Sequence, residues 1–247
     1  MNYEKKIKVC WMSAGISSFM AGYLAGDVDE WIYIDVDDQE PDSLRFVKDC
    51  ERAINKEIKI LKSKEYACVE DCVRAFGGFR NIRNGFSPCT NWLKKRVRKE
   101  WEYEHKDFEI TYVWGLDYDE RKRAENLADS MPEFNHQFPL IEKYLDKGAV
   151  HALFEEKFDI ARPRMYELGY SNNNCVGCIK GGMGYWNRIR KDFPEVFRKR
   201  AELERTVGNT ILKDGNTPIY LDELDPERGN FNSEIIPQCS IFCYTDL

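Results

Sequence analysis

Strand-like and helical segments alternate along the first half of the chain, and this alternation restricts the fold more than any other feature. Short apolar runs rich in β-forming residues occupy positions 7–12, 31–36, 57–61 and 110–114. Apolar residues at helical spacing occupy positions 19–25, 42–55, 93–101 and 120–129. This order is typical of a parallel sheet whose two faces are covered by helices. The sequence therefore predicts an α/β fold with a Rossmann-like, parallel five-stranded sheet.

The chain is expected to divide near residue 205. Positions 139–204 carry mostly helical patterns, and we assign them, with everything before them, to one α/β domain over residues 1–205. Residues 206–247 are rich in Gly, Pro, Asn and Asp, which predicts an irregular C-terminal tail packed on that domain. Ligands of such sheets bind beyond the carboxyl ends of the strands, so functional residues should follow strands.

Composition and charge restrict the class of protein. With no apolar run near 18 residues and only a short strand-like run at the start, we expect no membrane span and no signal peptide. We therefore expect a cytoplasmic protein whose nine cysteines are reduced thiols or metal ligands. The net charge of −6 gives no general reason to expect nucleic-acid binding. Two basic stretches, at 93–99 and 188–205, are most simply solvated helix faces.

A turn of small residues lies between the first predicted strand and the first predicted helix. It consists of Ser13, Ala14, Gly15, Ile16, Ser17 and Ser18. We expect Gly15 to permit a tight turn that a side chain would obstruct, and the serines to cap the helix. The helix amides would then bind a phosphate or sulfate, although small residues are also common at any strand-to-helix turn. The turn lacks both G-x-x-x-x-G-K-[ST] and G-x-G-x-x-G, so it is neither a Walker loop nor the usual dinucleotide fingerprint.

This turn resembles a variant of the PP-loop, S-G-G-x-D-S, of the PAPS reductase-like family in the PP-loop adenine nucleotide α-hydrolase superfamily. Ser13, Gly15 and Ser18 match that pattern, whereas Ala14 and Ser17 depart from it. Further segments resemble the family's in the same order: YID with PDSLRF (33–35, 41–46), CTNWLK (89–94), WG with DERKR (114–115, 119–123), FPLIE (138–142), and YELGY (166–170) leading to Cys175.

The resemblance implies the fold given above and an adenine-nucleotide site for ATP, PAPS or APS. It places Asp35, Gly115, Glu120 and Arg123 beside the loop as further nucleotide-binding residues. Asp35 would hold a ribose hydroxyl, a magnesium ion or a backbone amide, or else be an ordinary polar strand end. Members that cleave ATP usually keep the loop aspartate that Ser17 replaces, which favours a sulfonucleotide reductase. A thiol reductant protein is the partner that such an activity implies.

The cysteines suggest a second site. Cys175 and Cys178 have the spacing at which two thiolates hold one metal, and Cys239 and Cys243 form another close pair. Together they predict a four-thiolate site for zinc or an iron–sulfur cluster that ties the tail to the domain. A redox pair or plain thiols are the alternatives. The resemblance adds a different set, Cys89 with Cys175 and Cys178, and makes Cys239 a candidate catalytic nucleophile.

Three functions are compatible with these patterns. The leading one is a PAPS reductase-like enzyme that acts on a sulfonucleotide or adenylylated substrate by thiol or cluster chemistry. The second is an ATP-dependent enzyme that adenylates or thiolates a nucleobase or nucleic acid, with the basic helix at 94–99 facing the phosphates. The third is a non-catalytic nucleotide-binding module, which the departures at Ser17, Asp117 and Arg121 would explain.

Overall fold

A parallel five-stranded sheet organises the first part of the chain, and the predicted α/β fold is confirmed. The computed structural model describes residues 5–80 and 87–234. The strand order is β3-β2-β1-β4-β5, and all four neighbouring pairs are parallel. The strands are β1 (Lys5–Met12), β2 (Glu30–Ile34), β3 (Ile58–Leu61), β4 (Phe108–Val113) and β5 (Asn135–Gln137). The short polar strand β5 carries no apolar run, which is why the sequence did not reveal it.

Ten α-helices accompany the strands in the described part of the chain. They are α1 (Ile16–Ala25), α2 (Asp42–Ile54), α3 (Val69–Phe76), α4 (Arg96–Glu104), α5 (Arg121–Asp129), α6 (Pro139–Glu142), α7 (Lys147–Lys157), α8 (Arg164–Glu167), α9 (Met183–Asp192) and α10 (Pro194–Val207). The stretch predicted as one helix at 93–101 instead begins as a π-helix, Thr90–Lys95, that continues into α4. None of the described helices is long and apolar enough to cross a bilayer.

The chain folds into two compact units, each made of several separate segments. The first unit comprises Met1–Asp35, Pro41–Lys62 and Val97–Asn173, and it contains the whole parallel sheet. The second comprises Val36–Glu40, Ser63–Arg96 and Asn174–Leu247. The boundary predicted at residue 205 lies within α10, in the second unit.

Helices cover both faces of the sheet in the first unit, because successive strand side chains point to opposite faces. On one face, Cys10 and Met12 of β1 join an apolar cluster with residues of α1, α2 and α7. Phe19 of α1 lies at its centre, with its ring 6.0 Å from that of Phe154. On the other face, Trp11 packs edge-on against Trp101 of α4, with ring centroids 5.7 Å apart.

The second unit contains a hairpin that composition did not indicate. Residues 206–247 were predicted to be irregular, but β6 (Leu212–Asp214) and β7 (Thr217–Ile219) pair antiparallel around Gly215. A 3₁₀ turn, Leu221–Glu223, follows the hairpin. Strands of three residues are too short for the alternating pattern by which strands are recognised in a sequence.

Candidate functional site

The strand order reverses between β1 and β4, and this is the position at which open parallel sheets bind ligands. The residues that follow β1 are Ser13, Ala14 and Gly15, and those that follow β4 include Gly115. The residues predicted for the nucleotide loop therefore lie at the switch point of the sheet.

The backbone of this loop differs from the predicted one in one respect. Ala14, and not Gly15, has the left-handed conformation, with φ of 55°. Gly15 is extended, with φ of −109°, which any residue can adopt. A Cβ at Gly15 would instead lie 3.2 Å from Oη of Tyr166 and 3.4 Å from Oγ of Ser13. Glycine is therefore favoured there by the close approach of side chains, and not by the turn itself.

The serines close the turn but do not cap the helix. Gly15 is the N-cap of α1, and no side chain caps that end of the helix. The Ser18 hydroxyl donates to the Gly15 carbonyl at 2.9 Å and accepts from the Ser13 amide at 3.0 Å. The Ser13 hydroxyl donates to the Ser18 hydroxyl at 3.1 Å. The predicted capping role is wrong, because Ser18 lies inside the helix and bonds backward to the loop.

Two residues to which the sequence analysis gave no role at the loop hold it in place. Asn173 is buried, and its side-chain amide donates to the Ala14 carbonyl at 2.8 Å and to the Ser43 hydroxyl at 3.0 Å. The Tyr166 hydroxyl accepts from the amides of Ile16 and Asn173, and burial raises its pKa to about 12. Asn173 thus supports the strained left-handed Ala14. Neither role has a sequence signature, because both residues lie more than 140 positions from the loop.

The loop retains unused backbone donors. The amides of Ser17 and Ser18 have no hydrogen-bond partner among the described residues, whereas those of Ser13, Ile16 and Phe19 are bonded. Both serines are more than nine-tenths buried. The first amides of any α-helix lack partners within the helix, and such a pair at a helix N-terminus can donate hydrogen bonds to an anion.

Gly115 packs directly against the first turn of α1. A Cβ there would lie 2.4 Å from the Cα of Ser18 and 2.7 Å from its amide nitrogen. Because these are backbone atoms of a helix, no side-chain rotation can relieve the overlap. The predicted place of Gly115 beside the loop is therefore matched by the geometry.

The charged residues predicted to bind nucleotide already have protein partners. Asp35 follows β2, and its carboxylate pairs with Lys62 at 2.8 Å while its amide donates to Leu61. Glu120 pairs with Arg123 and also accepts from the amide of Asp117. A nucleotide role for Asp35, Glu120 and Arg123 stays a prediction.

Asp117 is buried, and it lies within electrostatic range of the half-buried Lys147, which the sequence did not indicate. Burial, together with the neighbouring Glu120, raises the pKa of Asp117 to about 6, and Lys147 acts in the opposite direction. Burial likewise lowers the pKa of Lys147. The Lys147 ammonium donates to Asn172 at 2.7 Å, next to the residue that holds Ala14. Lys147 is thus linked to the loop through the neighbouring residues Asn172 and Asn173.

Replacing Asp117 with Asn should make the stability less dependent on pH. The folded-state pKa of about 6 exceeds the ordinary 3.8, so the folded protein binds this proton more tightly and loses stability as pH rises from about 4 to 6. Asn cannot ionise, yet it still accepts from the Asp119 amide. We expect Asp117→Asn to be more stable than the wild type by about 2 kcal/mol at pH 8 and equal to it near pH 4. Urea unfolding at both pH values measures this, with the exposed Asp119→Asn as control. Parallel pH profiles of wild type and Asp117→Asn would contradict it.

The second unit contains the cysteine site. Cys89, Cys175 and Cys178 line one pocket, which is partly open to solvent. The same pocket is lined by two lysines, Lys94 and Lys180, and by Val36, Val69, Thr90, Leu93 and Ile179. The structure therefore brings Cys89 to the C-x-x-C pair, as the resemblance implied.

The C-x-x-C segment has a fixed backbone. The backbone of Cys175 forms an isolated antiparallel β-bridge with that of Gln39. The Val176 amide donates to the Asp38 carbonyl at 2.8 Å. The Cys178 amide donates to the Tyr185 hydroxyl at 2.9 Å, and that hydroxyl donates to the Cys175 carbonyl. Gly177 has φ of +69°, a conformation that L side chains rarely adopt. These contacts hold the two thiols in place.

Burial keeps the three cysteines in the thiol form. It raises the pKa of Cys89 and Cys175 to about 12 and that of Cys178 to about 11. Lys94 opposes this effect at all three thiols, and Lys180 opposes it at Cys89 and Cys178. Metal ligation or nucleophilic attack would require one of these thiols to lose its proton.

Three soft thiol donors in one pocket suit zinc or an iron–sulfur cluster by their chemistry. Within residues 5–80 and 87–234, however, no three Cys, His, Asp or Glu side chains are placed to hold a metal ion. Cys239 and Cys243, which were predicted to complete a four-cysteine site, lie outside the described residues, as does the proposed nucleophile Cys239. The metal site stays a prediction.

The basic stretch at 93–99 is not a uniform solvated face. Lys94 and Arg98 are buried, and Arg98 pairs with Glu102 at 3.3 Å. Lys94 faces the cysteine pocket, whereas Arg96 and Lys99 are exposed. A stretch that changes from π- to α-helix turns its residues in directions that a single helical period does not predict.

No protein-family model matches the chain, and no curated protein matches its sequence. Function is therefore inferred from the residues and the geometry described above.

Proposed function

We propose that this protein is an adenine-nucleotide-binding enzyme of sulfur chemistry, similar in activity to the PAPS reductases. The nucleotide, PAPS, APS or ATP, would bind at the loop of the first unit through its phosphates. The reacting groups would be the thiols of the second unit, acting on a sulfonucleotide or adenylylated substrate. A thiol reductant protein would then regenerate the thiols.

The main support for nucleotide binding at the loop is the pair of amides of Ser17 and Ser18 at the switch point of the sheet. These amides have no partner in the described residues, and the positive end of α1 favours an anion there. The side chains of loop residues 13–18 are all uncharged, so the backbone would do most of the binding. This arrangement suits a phosphate, which accepts hydrogen bonds from several amides at once.

The observation that supports sulfur chemistry is the pocket shared by Cys89, Cys175 and Cys178. Thiols react with sulfur electrophiles and bind soft metals, and three of them line this one pocket. Zinc or an iron–sulfur cluster, if bound by these cysteines, would hold them as thiolates, and a cluster would also supply electrons. Lys94 and Lys180 would stabilise the thiolate form of a reacting cysteine.

An aromatic surface in the second unit favours a nucleic-acid substrate as the second candidate. Phe76 is exposed, and it stacks on Trp92 with centroids 5.4 Å apart, while Tyr66 meets Trp92 edge-on at 5.5 Å. The Arg96 guanidinium lies 4.9 Å over the Trp92 ring. Aromatic rings beside arginines stack the bases of single-stranded nucleic acids. Under this alternative, Trp92→Ala should weaken binding of a labelled single-stranded RNA measured by fluorescence anisotropy.

Replacing Gly15 with Val tests the nucleotide site. The valine would push against the hydroxyls of Tyr166 and Ser13, and Tyr166 holds the loop through the Ile16 amide. The loop around the amides of Ser17 and Ser18 would therefore shift, and we expect affinity for the nucleotide to fall at least about tenfold while the fold survives. Isothermal titration with ATP, APS and PAPS measures this, with circular dichroism as the folding check. Unchanged affinity in Gly15→Val would place the nucleotide elsewhere.

A further inference from the structure

The Tyr166 hydroxyl lies at the N-terminal end of α1, among the atoms of the loop. A Cβ on Gly15 would be 3.2 Å from its Oη, and the hydroxyl accepts from the amide of Ile16, the first residue of α1. It also accepts from the Asn173 amide. Tyr166, Asn173 and the loop all belong to the first unit. The hydroxyl therefore takes the hydrogen bond that the first helix amide would otherwise offer to a ligand.

The proton of this hydroxyl has no acceptor among residues 5–80 and 87–234. A tyrosine hydroxyl can accept through its oxygen lone pairs and can donate its one O–H. The two amides use the lone pairs, so the O–H is the donor that the group has left. Burial raises the pKa of Tyr166 to about 12, so the hydroxyl keeps its proton at ordinary pH.

His151 holds the Tyr166 ring in its orientation without adding a charge beside it. The two rings pack edge-on, with centroids 5.0 Å apart. Arg162 lies 2.9 Å from Nδ1 of His151, and a guanidinium only donates, so Nδ1 is the acceptor of that hydrogen bond. Burial, together with Arg162, lowers the pKa of His151 to about 4, so the imidazole is neutral at pH 7. The phenol oxygen is thus kept at the loop by uncharged packing.

We propose that the Tyr166 hydroxyl donates directly to the phosphate that binds at the loop, together with the amides of Ser17 and Ser18. In effect the hydroxyl accepts the hydrogen bond of the Ile16 amide and offers its own O–H in place of it. One hydroxyl and two amides give three donors, and a terminal phosphate has three oxygens to accept them. This assignment rests on the proposed function and deepens it, since it adds a binding residue that lies far from the loop in the sequence.

Calorimetric titration of the full-length protein with inorganic phosphate and with AMP tests this assignment. Tyr166→Phe removes only the hydroxyl, and affinity for both ligands should fall about tenfold, because a hydrogen bond to a charged group is lost. The matched control is Tyr112→Phe, which removes another buried tyrosine hydroxyl of the same unit, one that donates to Glu102. It should leave both affinities unchanged. Circular dichroism of each variant checks the fold.

Replacing Tyr166 with 3-fluorotyrosine separates donation to the ligand from support of the loop. The fluorine makes the hydroxyl a stronger donor and a weaker acceptor. Donation to the phosphate therefore predicts a higher affinity at pH 7, which is lost at a lower pH than in the wild type as the more acidic phenol ionises. A hydroxyl that only accepts from the loop amides predicts a lower affinity at pH 7.

Unchanged affinity in both Tyr166 variants, or a fall in both, would overturn the inference, as would a wild type that binds neither phosphate nor AMP. If Gly15→Val weakens nucleotide binding while neither change at Tyr166 does, the proposed nucleotide site stands and the inference fails. Phosphate binding that depends on Tyr166, without binding of AMP, ATP, APS or PAPS, would instead contradict only the nucleotide part of the proposed function.

Discussion

Gly115→Ala should destabilise the first unit and remove nucleotide binding together. The new Cβ would lie 2.4 Å from the Cα of Ser18 and 3.0 Å from the carbonyl carbon of Ser17, so α1 would have to move away from the end of β4. Overpacking against rigid backbone of this kind costs about 3 kcal/mol. The displaced turn carries the amides of Ser17 and Ser18, so affinity for the nucleotide should fall with stability. Urea unfolding and nucleotide titration measure the two effects.

Gly148→Ala is the matched control for this substitution. Gly148 lies in α7, and a Cβ there would meet only the Asp146 carboxylate, at 3.4 Å. Alanine has the higher helix propensity, so this variant should be more stable than the wild type by about 0.5 kcal/mol. Equal stabilities of Gly115→Ala and Gly148→Ala would show that Gly115 does not pack on α1 as described.

Glu204→Ala should cause the second large loss of stability. Glu204 lies on α10 and is fully buried, and its two carboxylate oxygens accept from the amides of Ile211 and Leu221, each at 2.6 Å. Alanine would leave both amides buried without partners and a cavity beside them. Together these effects should cost about 3 kcal/mol. Hydrogen exchange should show the amides of residues 211 and 221 losing protection first.

The neighbouring glutamate Glu202 provides the control on the same helix. Its side chain is exposed and pairs with Arg198 one turn earlier. Exposed pairs of this kind contribute little, so Glu202→Ala should change stability by no more than about 0.5 kcal/mol. A loss in Glu204→Ala no larger than this would mean that Glu204 does not anchor the segment that follows α10.

Much of the fold was accessible from the sequence because the core strands have strong patterns. Strands β1, β2 and β4 are largely buried runs rich in Val, Ile, Trp and Tyr, and the positions of β1 to β4 agree with the predicted ones within two residues. The α3 helix was missed, since its eight residues span only about two turns, which is too short for a helical period to stand out. The hairpin after α10 was missed because its strands of three residues are too short to show an alternating pattern.

The sequence indicated which residues form the candidate loop and the cysteine pair, but not the contacts that hold them in place. Small residues after β1 indicated the loop, but its conformation depends on Asn173 and Tyr166, which no local pattern connects to it. Likewise, Cys175 and Cys178 were recognised by spacing, whereas the approach of Lys94 and Lys180 to the same pocket results from the tertiary fold. Contacts of this kind depend on the tertiary fold and have no local sequence pattern, so they could not be predicted from a single sequence.

A crystal structure of the full-length protein with ATP, APS or PAPS would test nucleotide binding at the loop most directly. We predict a phosphate of the bound nucleotide within about 3 Å of the amide nitrogens of Ser17 and Ser18, which is ordinary hydrogen-bond distance. We also predict that Tyr166 and Asn173 keep their contacts with the loop. A nucleotide bound away from residues 13–18, or no nucleotide at millimolar concentrations of all three, would contradict the proposed site.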